Sequence, residues 1–92
     1  MGLPRAILAH KKGDFQEASQ HYQRALQQNS DNPAIYQNYG ALLKKFGHEA
    51  EAHKIYQKGL QKFPDHPGIL RNFANLNRDE NPIFAVELYF KI

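Results

Sequence analysis

Five histidines are the first side chains in this 92-residue chain that could do chemistry, because imidazole is a common zinc ligand. His48 and His53 lie in the segment HEAEAH, which is superficially similar to the zinc-protease motif, but that motif needs two His four positions apart. These two are five positions apart, about 140° around a helix, so they cannot converge on one ion. The other three, His10, His21 and His66, belong to separate segments. The pattern therefore predicts no metal site and no cofactor.

The serine and glutamate residues do not form a recognisable catalytic site either. The chain has no Cys and no Thr, and neither of its two serines, Ser19 and Ser30, is placed beside a base. Glu49 and Glu51 point to different faces of a helix, so they do not form a catalytic carboxylate pair. The six glycines are dispersed rather than gathered into a phosphate-binding loop. We therefore predict that the chain itself is not an enzyme.

The composition indicates one small folded domain spanning residues 1–92. Apolar residues make up 41% of the chain, and 12 basic against 9 acidic residues give a net charge of +3. No apolar stretch approaches the ~18 residues of a membrane span. The lack of Cys is compatible with the cytoplasm without requiring it.

The sequence repeats itself with a period of 34 residues. When the chain is shifted by 34 positions, 13 of the 31 pairs from Leu8–Leu42 to Asn38–Asn72 are identical. Several mismatched pairs are conservative, such as Tyr39 with Phe73. We divide the chain into three units, approximately 1–32, 33–66 and 67–92, of which the first and last are incomplete.

Each unit is predicted to hold two helices. In the middle unit, Pro33 suits the first turn of a helix, with Asp31 or Asn32 as its cap. Apolar positions then follow one helical stripe until Gly47 supplies a turn, and a second helix runs to Pro64. No segment has sustained strand alternation, so the spacing predicts an all-α fold.

A 34-residue pair of helices with this pattern resembles the tetratricopeptide repeat (TPR) family. The positions that carry the resemblance in the middle unit are Tyr36, Tyr39, Gly40, Leu43, Ala52, Tyr56, Gly59, Leu60 and Pro64. The third unit departs after Ala74, where its turn Asp79-Glu80-Asn81-Pro82 is one residue short. The resemblance implies a right-handed superhelical stack of antiparallel helix pairs, in which the first helix of each pair lines a concave groove that binds extended peptides.

Helical-wheel geometry identifies the residues that this groove would present. In the second and third units they are rich in amides and basic groups, namely Gln37, Asn38, Ala41, Lys44, Lys45, Arg71, Asn72, Asn75, Arg78 and Asp79, and the first unit adds at most Ile7, His10 and Lys11. Asn38 and Asn72 are 34 positions apart, so their amides should project in parallel and hold a peptide backbone. The basic groups favour an acidic segment or a free C-terminal carboxylate. The alternative is that all these side chains form an ordinary solvated surface.

Three functions follow, of which a non-catalytic protein-interaction module is the leading hypothesis. The second is a TPR segment of a larger multidomain enzyme, such as a transferase, whose catalytic domain lies outside this chain. The third is an RNA-binding helical repeat, which would need exposed aromatic residues near the basic groups. RNA binding is disfavoured because Tyr36 and Tyr39 fall on the core side of their helix and the net charge is small.

The last ten residues contain only two charged side chains, Glu87 and Lys91. The short turn puts Ala85, Tyr89 and Ile92 in the core register, so that Phe84, Val86, Leu88 and Phe90 point elsewhere. A helix that is apolar on nearly all sides needs cover. We expect self-association, or contact with a segment outside this sequence, through Phe84, Leu88 and Phe90. The alternative is that these side chains close over the second unit.

Overall fold

The computed structural model describes residues 2–28 and 31–92, and all the regular structure in these ranges is helical. The six helices are α1 (Gly2–Lys12), α2 (Phe15–Gln28), α3 (Pro33–Lys45), α4 (Glu49–Lys62), α5 (Pro67–Asn77) and α6 (Pro82–Phe90). The predicted all-α architecture of paired helices is confirmed, and the handedness of the superhelix stays a prediction. Ser30, considered above as a hydroxyl group, lies outside the described residues. None of the described helices is long and apolar enough to cross a membrane.

The turns inside the first two hairpins are equivalent bends centred on glycine. Gly13 has φ +80° and Gly47 has φ +83°, the left-handed region in which a side chain would be strained. In the first turn the backbone N–H of Asp14 donates to the carbonyl of Ala9 at 3.0 Å. The equivalent N–H of His48 donates to the carbonyl of Leu43 at 2.8 Å. The same local sequence thus gives the same turn twice.

The first helices of the second and third units begin with a side-chain cap followed by proline. Asn32, rather than Asp31, caps α3, because its Oδ1 accepts the N–H of Ala34 at 3.0 Å. His66 caps α5 through Nδ1, which accepts the N–H of Ile69 at 3.2 Å. The proline after each cap has no N–H to satisfy, so it fits the first turn.

The hairpins stack through aromatic side chains that pack on the preceding unit. The Tyr39 ring lies 5.5 Å from the Tyr22 ring, and its hydroxyl contacts Ser19 Oγ at 3.2 Å. At the equivalent position of α5, the Phe73 ring lies 5.8 Å from the Tyr56 ring and 4.6 Å from the His53 ring. Helix α3 contacts both α1 and α5, so the three first helices lie side by side.

The third unit corrects part of the sequence-based prediction. Ala85 is buried as expected, but Tyr89 is 37% exposed and Ile92 is 54% exposed. In the first two units, the residues equivalent to Tyr89 contact the first helix of the following unit, Tyr22 through Tyr39 and Tyr56 through Phe73. Among the residues that the structure describes, no helix covers Tyr89 in this way.

The structure also corrects the set of residues that the sequence predicts for self-association. Leu88 is buried inside the chain and Phe84 is half-buried, with its ring edge-on to Phe73 at 5.4 Å. Leu88 is therefore not available for the predicted self-association and Phe84 is partly engaged in packing, whereas Phe90 is exposed. The alternative expectation, closure over the second unit, is not shown either, because Phe84 packs on Phe73 of α5, within the third unit.

Candidate functional site

Two depressions lie along the surface formed by the first helices. Cup A, between α1 and α3, has a volume of about 220 Å³ and is lined by Ile7, His10, Lys11, Tyr22 and Asn38. Cup B, between α3 and α5, has a volume of about 270 Å³ and is lined by Ala41, Lys44, Lys45, Tyr56, Asn72 and Asn75. We refer to the surface along α1, α3 and α5 that contains both cups as the groove.

The two cups are built from equivalent positions of successive units. Each of the five residues of cup A has a counterpart in cup B that is 34 positions later. The pairs are Ile7 and Ala41, His10 and Lys44, Lys11 and Lys45, Tyr22 and Tyr56, and Asn38 and Asn72. The repeat in the sequence therefore appears in space as a repeated cup.

A buried tyrosine lies at the base of each cup. The side chains of Tyr22 and Tyr56 are almost completely buried, yet both line the cups. Burial raises the pKa of each phenol to about 12, partly opposed at Tyr56 by a hydrogen bond with Asn72. Both phenols therefore remain protonated at neutral pH. Sequence analysis missed the two tyrosines because it assigned their positions only to the core.

Charge distinguishes the two cups. Lys44 and Lys45 are exposed at the rim of cup B, with Lys45 Nζ 5.8 Å from the centre of the Phe46 ring. In cup A the position of Lys44 is taken by His10, whose Nδ1 lies 3.0 Å from the Tyr22 hydroxyl. Burial, with a further contribution from the charge of Lys45, lowers the pKa of His10 from its ordinary value of 6.5. Since His10 is neutral at pH 7, cup B is the more positive of the two.

The predicted amides lie in the groove, but several are also used in packing. Asn72 Nδ2 donates to the backbone carbonyl of Gln37 at 3.5 Å, and Asn75 Oδ1 accepts the hydroxyl of Tyr89. The half-buried Gln37 side chain packs against the backbone of α5 at Gly68. Hydrogen bonds therefore hold Asn72 and Asn75 in place before any ligand arrives, which lowers the entropy cost of binding.

Two predicted basic residues are separate from the cups. Arg71 and Arg78 are exposed, and neither is among the residues that line cup A or cup B. Arg78 follows the last residue of α5, where the wheel geometry of that helix ends. Lys44, Lys45, Asn72 and Asn75 therefore share cup B and Asn38 lines cup A, whereas Arg71 and Arg78 line neither.

The structure gives no support to the competing chemistries within the described ranges. Tyr36 and Tyr39, which base stacking on RNA would need at the surface, are both buried. In residues 2–28 and 31–92 no group of three or more His, Asp or Glu residues is placed to hold a metal ion. The groove presents amide, phenol and ammonium groups on a stack of helices.

A stack of helical hairpins with repeated surface cups defines a helical-repeat protein. The sequence profile of the tetratricopeptide repeat family matches residues 9–71, which is more than half of the chain. The chain therefore belongs to the tetratricopeptide repeat family. Comparison with curated proteins gives no match. Family membership indicates a scaffold for protein–protein interaction.

Proposed function

We propose that this chain binds an extended peptide along the groove, with successive parts of the peptide in cup A and cup B. The observation that carries the proposal is the 34-residue equivalence of the two cups. A peptide also repeats its polar groups at regular intervals, so a repeated cup is suited to a repeating backbone.

The asparagine side chains would recognise the peptide backbone, and the lysine side chains would recognise acidic groups of the peptide. Asn38 can donate to a peptide carbonyl and accept a peptide N–H, and Asn72, whose Nδ2 already donates to Gln37, can accept a peptide N–H through Oδ1. Contacts of this kind require no particular ligand sequence. Lys44 and Lys45 supply charge at cup B, where a carboxylate side chain or a C-terminal carboxylate fits best. The expected ligand is an extended peptide whose acidic end lies at cup B.

A peptide-array screen tests the proposal with an Asn38→Ala/Asn72→Ala double variant. Loss of two net hydrogen bonds of about 1 kcal/mol each predicts about tenfold to thirtyfold weaker binding of selected peptides. The matched control is Gln27→Ala/Gln61→Ala, which removes two exposed amides, also 34 positions apart, from the second helices α2 and α4. Equal capture by the wild type and both double variants would refute peptide binding in the groove.

Charge reversal tests the preferred end of the ligand separately. Lys44→Glu should weaken acidic peptides and leave neutral peptides nearly unchanged, because only the former need positive charge at cup B. Lys54→Glu makes the same change at an exposed position of α4 and should affect neither class. Far-UV circular dichroism and thermal unfolding of every variant separate lost binding from lost folding.

A further inference from the structure

His10 occupies in cup A the position that Lys44 occupies in cup B. The two residues are 34 positions apart and line equivalent cups, so an imidazole lies where the next unit has a permanent cation. Among the five pairs of lining residues, only this pair differs in charge at neutral pH. Imidazole gains its charge in the range of about pH 5 to 8, where lysine stays charged throughout. A proton on His10 would therefore make the two cups alike in charge.

The half-buried ring of His10 is already engaged with the phenol at the base of its own cup. Its Nδ1 lies 3.0 Å from the Tyr22 hydroxyl, and the two rings meet edge-on with 6.0 Å between their centres. A neutral imidazole has one N–H and one bare nitrogen, whereas the protonated ring donates through both nitrogens. Whichever nitrogen carries the proton at first, protonation of His10 gives the His10–Tyr22 pair one more free donor as well as a positive charge.

The surroundings of His10 contain cations but no acid. Helix α1 packs against α2 and α3, and Tyr22 faces His10 from α2 while the charge of Lys45 acts on it from α3. On its own helix, Lys11 lies at the rim of the same cup. Glu17, the acidic residue of α2, lines a separate depression on the other side of α1, and none of the described residues that line cup A is a carboxylate.

A carboxylate brought into cup A by a ligand would supply the missing anion. Burial, with a further contribution from Lys45, lowers the pKa of His10 in the free protein. An opposite charge within about 4–6 Å favours the charged form of a titratable group, so a bound carboxylate would raise that pKa again. Lys11 is exposed and its charge is screened by water and salt, whereas the half-buried His10 is screened less. The imidazole is therefore the group whose charge matters most inside this cup.

We propose that His10 determines which group of a bound peptide cup A accepts, a neutral group when the imidazole is neutral and a carboxylate when it is protonated. This inference rests on the proposed function, because it assigns a charge preference to one cup of the same groove. A peptide with acidic groups at both cups then binds together with a proton, and its affinity rises as the pH falls. At neutral pH the groove prefers a peptide whose acidic group lies at cup B alone.

Isothermal titration calorimetry at pH 7.5 and pH 5.5 tests the proposal with two octapeptides, one alternating Glu with Ser and the other alternating Gln with Ser. Both are acetylated and amidated at their ends, so that they differ only in side-chain charge. Glutamate has a pKa of about 4.3 and stays ionised at pH 5.5. The wild type should bind the acidic octapeptide about threefold to tenfold more tightly at pH 5.5, with proton uptake visible in the buffer dependence of the heat. Its affinity for the neutral octapeptide should change less than about twofold.

Three variants assign the pH dependence to His10. All five histidines gain charge on acidification, which attracts an acidic peptide to the whole molecule. His10→Gln should therefore lose most, but not all, of the pH dependence. His10→Lys copies the position of Lys44 and should bind the acidic octapeptide at both pH values about as tightly as the wild type does at the lower one. The matched control, His21→Gln, removes a histidine that lines neither cup and should keep the wild-type pH dependence.

The outcomes separate the role of His10 from the proposed function. If the wild type binds both octapeptides with affinities that do not change with pH, peptide binding in the groove remains supported and the role of His10 is overturned. The same conclusion follows if His10→Gln keeps the full pH dependence of the wild type. If neither octapeptide binds at either pH, both the groove and this role of His10 are refuted. Far-UV circular dichroism at both pH values confirms that every variant is folded.

Discussion

Replacing Gly40 by alanine should destabilise the protein, although alanine is the better helix former. A Cβ atom at Gly40 would overlap the ring of Tyr56, lying 2.7 Å from Cδ1 and closer still to Cε1 and Cζ. The Tyr56 side chain is buried and packs against Phe73, so it cannot move aside without disturbing that contact. Relieving the overlap should cost about 2–3 kcal/mol, against a gain of about 1 kcal/mol in helix propensity.

The net effect is a loss of about 1–2 kcal/mol in the free energy of unfolding, or roughly 4–16 °C in Tm for a domain of this size. Urea unfolding followed by circular dichroism measures it. The variant should also bind peptides less well, because Tyr56 lies at the base of cup B.

Gly68→Ala is the matched control for this prediction. A Cβ atom there would also make a close contact, 2.6 Å from Nε2 of Gln37, but that atom ends a flexible, half-buried side chain that can turn away. We expect its stability to lie within about 0.5 kcal/mol of the wild type. The reasoning is refuted if Gly40→Ala is as stable as the wild type, or if Gly68→Ala is destabilised equally.

Three further changes test the turns, the caps and the ionisation of cup A. Gly47→Ala should cost about 1–2 kcal/mol in urea unfolding, because its φ of +83° is strained for alanine, and Gly47→Asn should cost less. Asn32→Ala should cost about 1 kcal/mol by leaving the N–H of Ala34 without its cap, and an unchanged urea midpoint would contradict that role. Because the folded state lowers the pKa of His10 below 6.5, the unfolded chain binds more protons, and this contribution to stability is lost as pH falls below about 6.5. Thermal unfolding between pH 7.5 and pH 5, compared with His10→Gln, measures the contribution; equal pH dependence in both proteins would contradict it.

The helices and turns of the first two units were predictable because local chemistry determines them. Gly13 and Gly47 are the only described residues with positive φ, and both turns follow from a residue that tolerates that conformation. Asn32 and Pro33 define the start of α3 in the same way, through one cap and one missing N–H. The 34-residue repeat relates the rules of the first unit to those of the second.

The third unit was harder to predict because its register depends on one residue of turn length. A shift of one position rotates a helix by about 100°. Leu88 and Phe90 are two positions apart, about 200° around the helix, so only one of them can face the core, and it is Leu88. The two tyrosines of the cups escaped prediction for another reason. A helical wheel shows only the direction in which a residue leaves its own helix. Tyr22 and Tyr56 belong to the second helices α2 and α4, and their side chains reach the cups through the core. Repetition of Tyr at this spacing was the available signal, since a buried phenol needs a polar partner.

The tyrosines at the base of the cups also provide an optical probe. The chain contains no Trp, so its near-ultraviolet spectrum comes mainly from five tyrosines. Two of those rings line the cups from fixed positions in the core. Anything that enters a cup would alter the surroundings of an ordered chromophore, so binding should be visible in the near-ultraviolet circular dichroism of the unlabelled protein.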